Sequence, residues 1–272
     1  MDGGIAMKEI TILWLGGGAR SEYLCKKYEE KIPKYLLKEY CYPGYLPFED
    51  TDPNLKEALD FLKEAEKSVR LFHKLILTDK ELNEWPYFEL RVNYPLHYEG
   101  TLPYDYGTKY KDECPRCCYR ENVIGNVLVN GRFLKKCSIG CMPPHYFVAE
   151  YIKNIIEKNA LTGISFGERI ADWKGKSIDP KYILNVTNVL PPMHSSTWFE
   201  ESVPLHKCPH EIVYCDSEYR YECQQLTNAK DFNLTYEYLN NYYMRYIVVS
   251  SRVRRVFKEN GIKAGFAPIK LI

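Results

Sequence analysis

His145 to Phe166 reads HYFVAEYIKNIIEKNALTGISF, and Arg245 to Phe266 reads RYIVVSSRVRRVFKENGIKAGF. Each stretch opens on a short apolar, strand-like run and continues into a helix with apolar residues at matching places. Ile152, Ile155 and Ile156 in the first fall where Val253, Val256 and Phe257 fall in the second. Asn159 and Asn260 mark equivalent helix ends, because asparagine tolerates the left-handed cap conformation. An apolar residue, small residues and a short β-like exit come next in both. Any two amphipathic helices look alike, but here the flanks match as well. The two stretches are therefore read as a duplicated strand–helix–strand unit. Two copies are too few for a solenoid, so a paired α/β arrangement sharing one core is expected.

Working outward from these units, the fold class is α+β, with a boundary near residue 84: an N-terminal segment, 1–84, and a duplicated α/β region, 85–272. Lys8 to Leu15 is a short apolar stretch leading into Gly16-Gly17-Gly18. A dinucleotide fingerprint would need a third glycine where Ser21 stands, and Pro33 interrupts the next segment, so a glycine-rich turn is the better reading. Cys41 to Pro53 reads as a loop or linker. Asp52 is a good helix N-cap, and Pro53 suits the first helical position, where no N–H is needed. Leu55, Leu59, Leu62, Val69 and Phe72 then recur at roughly helical spacing, which predicts one amphipathic helix running to about Leu77, with His73 on its edge. Trp85 to Tyr110 is crowded with proline, tyrosine and glycine and reads as short strands and turns.

The middle of the chain carries a cysteine constellation. Cys114-Pro-Arg-Cys117 is a CxxC knuckle, Cys137-Ser-Ile-Gly-Cys141 is a CxxxC turn, and nineteen residues separate Cys117 from Cys137. Between them, Val123 to Leu134 alternates around Asn130-Gly131, a hairpin signal. A hairpin returns its ends to one place, so it can bring both thiolate pairs around one ion. Four thiolates satisfy the tetrahedral preference of zinc and leave no open position, which makes the expected site structural. A redox reading of the CxxC is weaker, because the residues after Cys117 make a poor helix and thus no dipole to lower a thiol pKa. Cys208 and His210, with His206, Cys215 and Cys223, form another group of plausible ligands whose spacings match no tight knuckle. Cys25 and Cys41 read as solitary buried thiols.

Composition narrows the function. With 272 residues, 45% hydrophobic and 27% charged, the chain has globular proportions and enough length to bury a core. A formal net charge of +1 supplies no overall field for a polyanion, so a nucleic-acid partner is not expected. No apolar run reaches the ~20 residues of a membrane-spanning helix, and Met1 to Ile12 lacks the form of a secretory signal, so a cytoplasmic location is expected and no membrane partner. Close cysteine pairs in a reducing cytosol read as metal ligands. Gly3-Gly4 can be encoded by a purine-rich ribosome-binding run upstream of Met7, which makes Met7 the expected start.

No HExxH, GxSxG or P-loop is present. His97, His145 and His194 lie near prolines or tyrosines with no matched acidic or nucleophilic neighbour. The expectation is a protein that is not an enzyme. Arg252, Arg254, Arg255 and Lys258, preceded by Tyr236, Tyr238, Tyr242, Tyr243 and Tyr246, could clamp phosphates and stack bases. A solvated helix face beside half-buried strand tyrosines is the plainer reading.

The C-terminal part resembles a family. Val249-Ser250-Ser251-Arg252-Val253, Asn260-Gly261-Ile262 and Phe266-Ala267-Pro268-Ile269, behind the Cys114–Cys117 pair, look like the double-CXXCG motif proteins, grouped with the immunity proteins of polymorphic toxin systems. Cys118 stands in place of the glycine of the first motif. Cys208-Pro209 falls near the second motif, which is otherwise lost. The likeness covers roughly Cys114 to Ile272 and leaves Met1 to Asp112 unexplained. It implies a non-catalytic cytoplasmic bacterial protein that binds and blocks a cognate toxin through a matched surface. The alternative is a zinc-ribbon nucleic-acid-binding or regulatory protein, and a third reading is a metal-dependent enzyme using the Cys208–Cys223 group.

Overall fold

The structure, a computed structural model, describes residues 8–15, 19–28, 30–40, 45–64, 70–92, 108–114, 120–129, 137–142, 144–172, 174, 176–199, 212–213, 215, 217–239 and 244–272. In chain order these form β1 (Lys8–Trp14), α1 (Ala19–Tyr28), α2 (Lys34–Tyr40), β2 (Tyr45–Glu49), α3 (Pro53–Glu64), β3 (Arg70–Ile76), α4 (Asp79–Glu84) and β4 (Tyr87–Arg91). Then come β5 (Lys109–Glu113), β6 (Arg120–Ile124), β7 (Leu128–Val129), β8 (Ile139–Met142), β9 (His145–Ala149), α5 (Glu150–Lys158), β10 (Ile164–Asp172) and β11 (Ser177–Val186). The remainder holds β12 (Ile212–Val213), β13 (Arg220–Tyr221), β14 (Phe232–Leu234), β15 (Tyr238–Leu239), β16 (Ile247–Ser250), α6 (Ser251–Glu259), β17 (Gly265–Pro268) and β18 (Lys270–Leu271). The architecture is mixed α+β with several antiparallel sheets.

The N-terminal sheet has the order β2-β1-β3, antiparallel throughout. Ile10, Leu13, Leu24, Tyr28, Leu36, Phe48 and Leu62 form its core between the sheet and α1, α2 and α3. Asp52 does begin α3, its carboxylate accepting from the Asn54 backbone N–H at 2.8 Å. The helix nevertheless ends at Glu64, and the expected helical run to Leu77 is overturned by β3. Seven register pairs from Lys8↔Ile76 to Trp14↔Arg70 hold that segment extended. Satisfying the open edge of β1 outweighs a helical propensity worth only tenths of a kcal/mol per residue. His73 accordingly sits in a strand, its Nδ1 3.0 Å from Thr11 Oγ1. The Cys41–Pro53 linker likewise contains β2, with Pro47 inside it. Proline is tolerated there because β2 is an edge strand and its missing N–H faces no partner.

The larger part of the molecule is built from two sheets, ordered β7-β10-β11-β9-β8 and β14-β16-β4-β17. In the first, β9 and β10 flank β11 and are both antiparallel to it. In the second, β16 and β17 flank β4 and are both antiparallel to it. Each strand–helix–strand segment is thus split by a central antiparallel strand, and β8 and β14 add antiparallel outer neighbours to β9 and β16. The helices end alike. Asn159 and Asn260 each return the side-chain amide to the carbonyl one turn back, Ile155 and Val256, at 2.8 Å. Ala160 (φ 47°) and Gly261 (φ 64°) then take the left-handed position. Leu161 N–H donates to Ile156 C=O and Ile262 N–H to Phe257 C=O, which closes each cap over the last turn.

One core serves both sheets: Ile152, Ile156, Leu161, Val253, Val256, Phe257 and Ile262 meet Phe88, Val148, Phe232 and Val249 within it. The join runs through β14. Phe232 N–H donates to Thr162 C=O, and the Asp231 carboxylate accepts from Thr162, Ser250 and Arg252. Gly163 is required at this join, since a Cβ there would lie 2.1 Å from the Phe232 carbonyl oxygen and φ is +82°. Leu82 and Trp85 pack against the same core, so α4 belongs in space with the C-terminal region.

Candidate functional site

The four cysteines of the expected zinc site take different environments. Cys114 follows β5, and the β5–β6 ladder closes with Glu113 opposite Arg120. Cys117 is outside the described residues. Cys137 is half-buried and packs with Val123 and Ile183 against Val127, Phe147, Ile170 and Ile178. The chain bends at Ser138, and Cys141 enters the main core on β8. There its sulfur lies 3.4 Å from the Met244 sulfur, and burial pushes its thiol pKa well up, which favours the neutral thiol. No three His, Cys, Asp or Glu side chains among the described residues are grouped to hold a metal ion. As placed, Cys137 and Cys141 face different apolar clusters, and a shared ion would require Cys141 to leave the core.

The hairpin expected over Val123–Leu134 differs over its described part. Val123 pairs with Tyr110 in the β5–β6 ladder, Gly125 turns the chain at φ 81°, and β7 pairs in parallel with β10. Asn130 to Lys136 lies outside the described residues. Of the other ligand group, Cys215 is buried in a separate apolar cluster and Cys223 is exposed. His206, Cys208 and His210 are outside the described residues.

The basic residues of α6 are partly committed to the fold. Arg252 donates to the Asn159 and Ala160 carbonyls at the end of α5 and to Asp231. Arg254 bonds Asn83 Oδ1 at 3.0 Å and lies over the Phe88 ring. Arg245 lies over Tyr238 and Tyr236, with ring distances of 4.8 and 6.0 Å. Burial raises the Glu237 pKa, opposed by a backbone N–H from Met193 and by Arg245. These cations serve internal contacts, which weakens a phosphate-clamp reading of the cluster.

A cleft of about 450 Å³ lies between the N-terminal sheet and the second large sheet. Lys74–Leu77, Glu89, Arg91, Ser217–Tyr219 and Gly265–Ile269 line it. Its walls are two strand edges. On β3, the Glu9 carbonyl turns to Asp50, so Leu75 opposite Glu9 is a non-hydrogen-bonded pair and its N–H and C=O point away from β1. On β17, Ile269 N–H bonds Tyr87 C=O, so by alternation the N–H and C=O of Phe266 point away from β4. At one end the gap is filled by the chain itself. His73 N–H donates to Ser217 Oγ and His73 C=O accepts from Glu218 N–H, both at 3.0 Å. On the far side Tyr219 C=O accepts from Lys270 N–H at 2.8 Å, and β13 continues in parallel with β18. A single segment, Ser217–Tyr219, therefore spans from one sheet edge to the other.

Charge in the cleft comes from Lys74 and from two acid–base pairs. Arg91 grips Glu89 at 2.9 Å. Arg220 Nη2 donates to Glu218 Oε1 at 2.9 Å, while the second oxygen, Oε2, is buried without a hydrogen-bond partner. The Glu218 side chain is only 4% exposed. An unpaired buried carboxylate oxygen costs about 1–3 kcal/mol, and a donor that reaches it removes that cost. The sequence offered no signal for this site, because its walls come from four separate stretches with no shared motif.

Compared with known proteins, the chain matches no family model, and no curated protein is significantly similar to it. No helix among the described residues is long and apolar enough to cross a membrane.

Proposed function

We propose that this chain is an immunity protein, a non-catalytic protein that binds and neutralises a cognate toxin. The observation that carries the reading is the work done by the residues of the C-terminal resemblance. Val249 and Ser250 end β16 and start α6, Asn260-Gly261-Ile262 cap it, and Phe266 to Pro268 form the edge strand β17. These residues form strands and a helix and none of them makes a catalytic grouping, which supports a protein whose function lies in a binding surface. The matching caps and strand orders of the two units are part of the proposal as a duplication. Pull-down of tagged chain with nuclease treatment, followed by mass spectrometry, tests it: a single stoichiometric protein partner is expected, and nucleic acid without a protein partner contradicts it.

Structural zinc on Cys114, Cys117, Cys137 and Cys141 stays in the proposal at a defined cost, the withdrawal of Cys141 from Met244. Cys114→Ser and Cys137→Ser are each expected to abolish stoichiometric zinc and lower the melting temperature. Metal retained by both, with unchanged melting, removes zinc from the account. Cys141→Ser separates ligand from core residue: loss of metal supports ligation, whereas retained metal with about 1–3 kcal/mol lower stability supports a buried thiol.

A further inference from the structure

We infer that the cleft between β3 and β17 is a strand-insertion site, occupied by an extended segment of the partner protein that joins the two sheets. The protein supplies its own gauge for the occupant. Ser217–Tyr219 lies in the same lane, bonded to His73 of β3 on one side and to Lys270 on the other and leading into the parallel β13–β18 pair, so the gap is one chain wide where it is filled. Beyond Ser217 no described residue fills the lane, and Leu75 and Phe266 present backbone donors and acceptors from its two sides. An extended peptide satisfies both walls at once, which a helix cannot do, since its own backbone groups are internally paired. Strand addition gives affinity through the backbone, and specificity then comes from side chains at alternate positions. Glu218 Oε2 supplies that specificity here, because a lysine or arginine on the incoming strand is the donor that a buried, half-paired carboxylate accepts best.

This rests on the protein-binding reading above, and the two are separable: a chain that captures a protein partner without using the lane loses only the present inference. The test uses the full chain and a random seven-residue peptide library displayed on phage. The strongest binder is resynthesised as it stands and with alternate amides N-methylated. The expected binder carries a basic residue, loses about tenfold or more in affinity on methylation of one alternating set of amides, and slows hydrogen exchange at the Leu75 and Phe266 amides. Glu218→Gln, checked for unchanged melting, is expected to weaken it about tenfold. Because that variant also disturbs Arg220, the exchange measurement on the unaltered chain is decisive. No binder, or a binder indifferent to methylation that leaves both amides unprotected, overturns the inference. Protection of the two amides that grows with the concentration of the chain alone also overturns it, since the occupant is then a second copy.

Discussion

The two strand–helix–strand segments, His145–Asp172 and Ile247–Pro268, share cap chemistry and strand order but finish their sheets differently. In the first, the central strand β11 comes directly after β10 in the chain, and β7 pairs with the far end of β10, at Ala171 and Asp172. In the second, the central strand β4 arrives from far earlier in the chain, and β17 remains the sheet edge, facing the cleft. The first sheet thus continues past β10 at that strand's end, whereas the second stops at β17. Pro268 and the shortness of β17 limit uncontrolled pairing along that edge, while Phe266 leaves one position able to pair.

The largest effect that can sharpen the comparison is in the shared core. Phe257 and Ile156 occupy corresponding positions and are both buried. Phe257→Ala is expected to cost about 3–5 kcal/mol and Ile156→Ala about 2–5 kcal/mol, read by urea denaturation. If both units stand on one core, each variant unfolds in a single transition, and separate transitions break the account.

Next is an acid limb belonging to the first unit alone. Burial lowers the His145 pKa to about 4, whereas the residue the same distance before the second cap is Tyr246, which has no imidazole. The unfolded chain binds a proton near pH 6.5 that the folded chain refuses until about pH 4. Stability is therefore full above pH 6.5 and falls as the pH drops toward 4, by about 3 kcal/mol in all. His145→Phe should flatten that limb in denaturation curves recorded across the window, and an unchanged slope contradicts the assignment.

The smallest effects are at the caps. Ala160→Gly is expected to stabilise by up to about 1 kcal/mol, since φ is 47° there, and Gly261→Ala to destabilise by a similar amount at φ 64°. Shifts of equal sign at the two sites would show that the caps are not equivalent. Thermal melting of the two variants reads this directly.

What was legible in the sequence was local. The helix periods, the asparagine caps and the Asp52-Pro53 helix start each depend on a few neighbouring residues. What was illegible depended on distant pairing. Val69 and Phe72 follow Leu55, Leu59 and Leu62 at roughly helical spacing and pass for more helix until β1 is seen to need an edge. Trp85 to Tyr110 read as strands and turns, but nothing local to β4 says that Glu89 will lie between Val248 and Ala267. The cysteine spacing suggested a tetrad, yet the bend at Ser138 and the packing of Cys141 on Met244 are tertiary facts. The cleft needed Leu75, Glu218 and Phe266 in one place, which only the assembled sheets provide.

The claim that this chain protects against a toxin is tested most directly by growth. The partner identified by mass spectrometry is expressed under an inducible promoter, alone and together with this chain. The account predicts growth arrest by the partner alone and recovery when the two are co-expressed. Arrest that persists undiminished beside abundant, folded chain contradicts it.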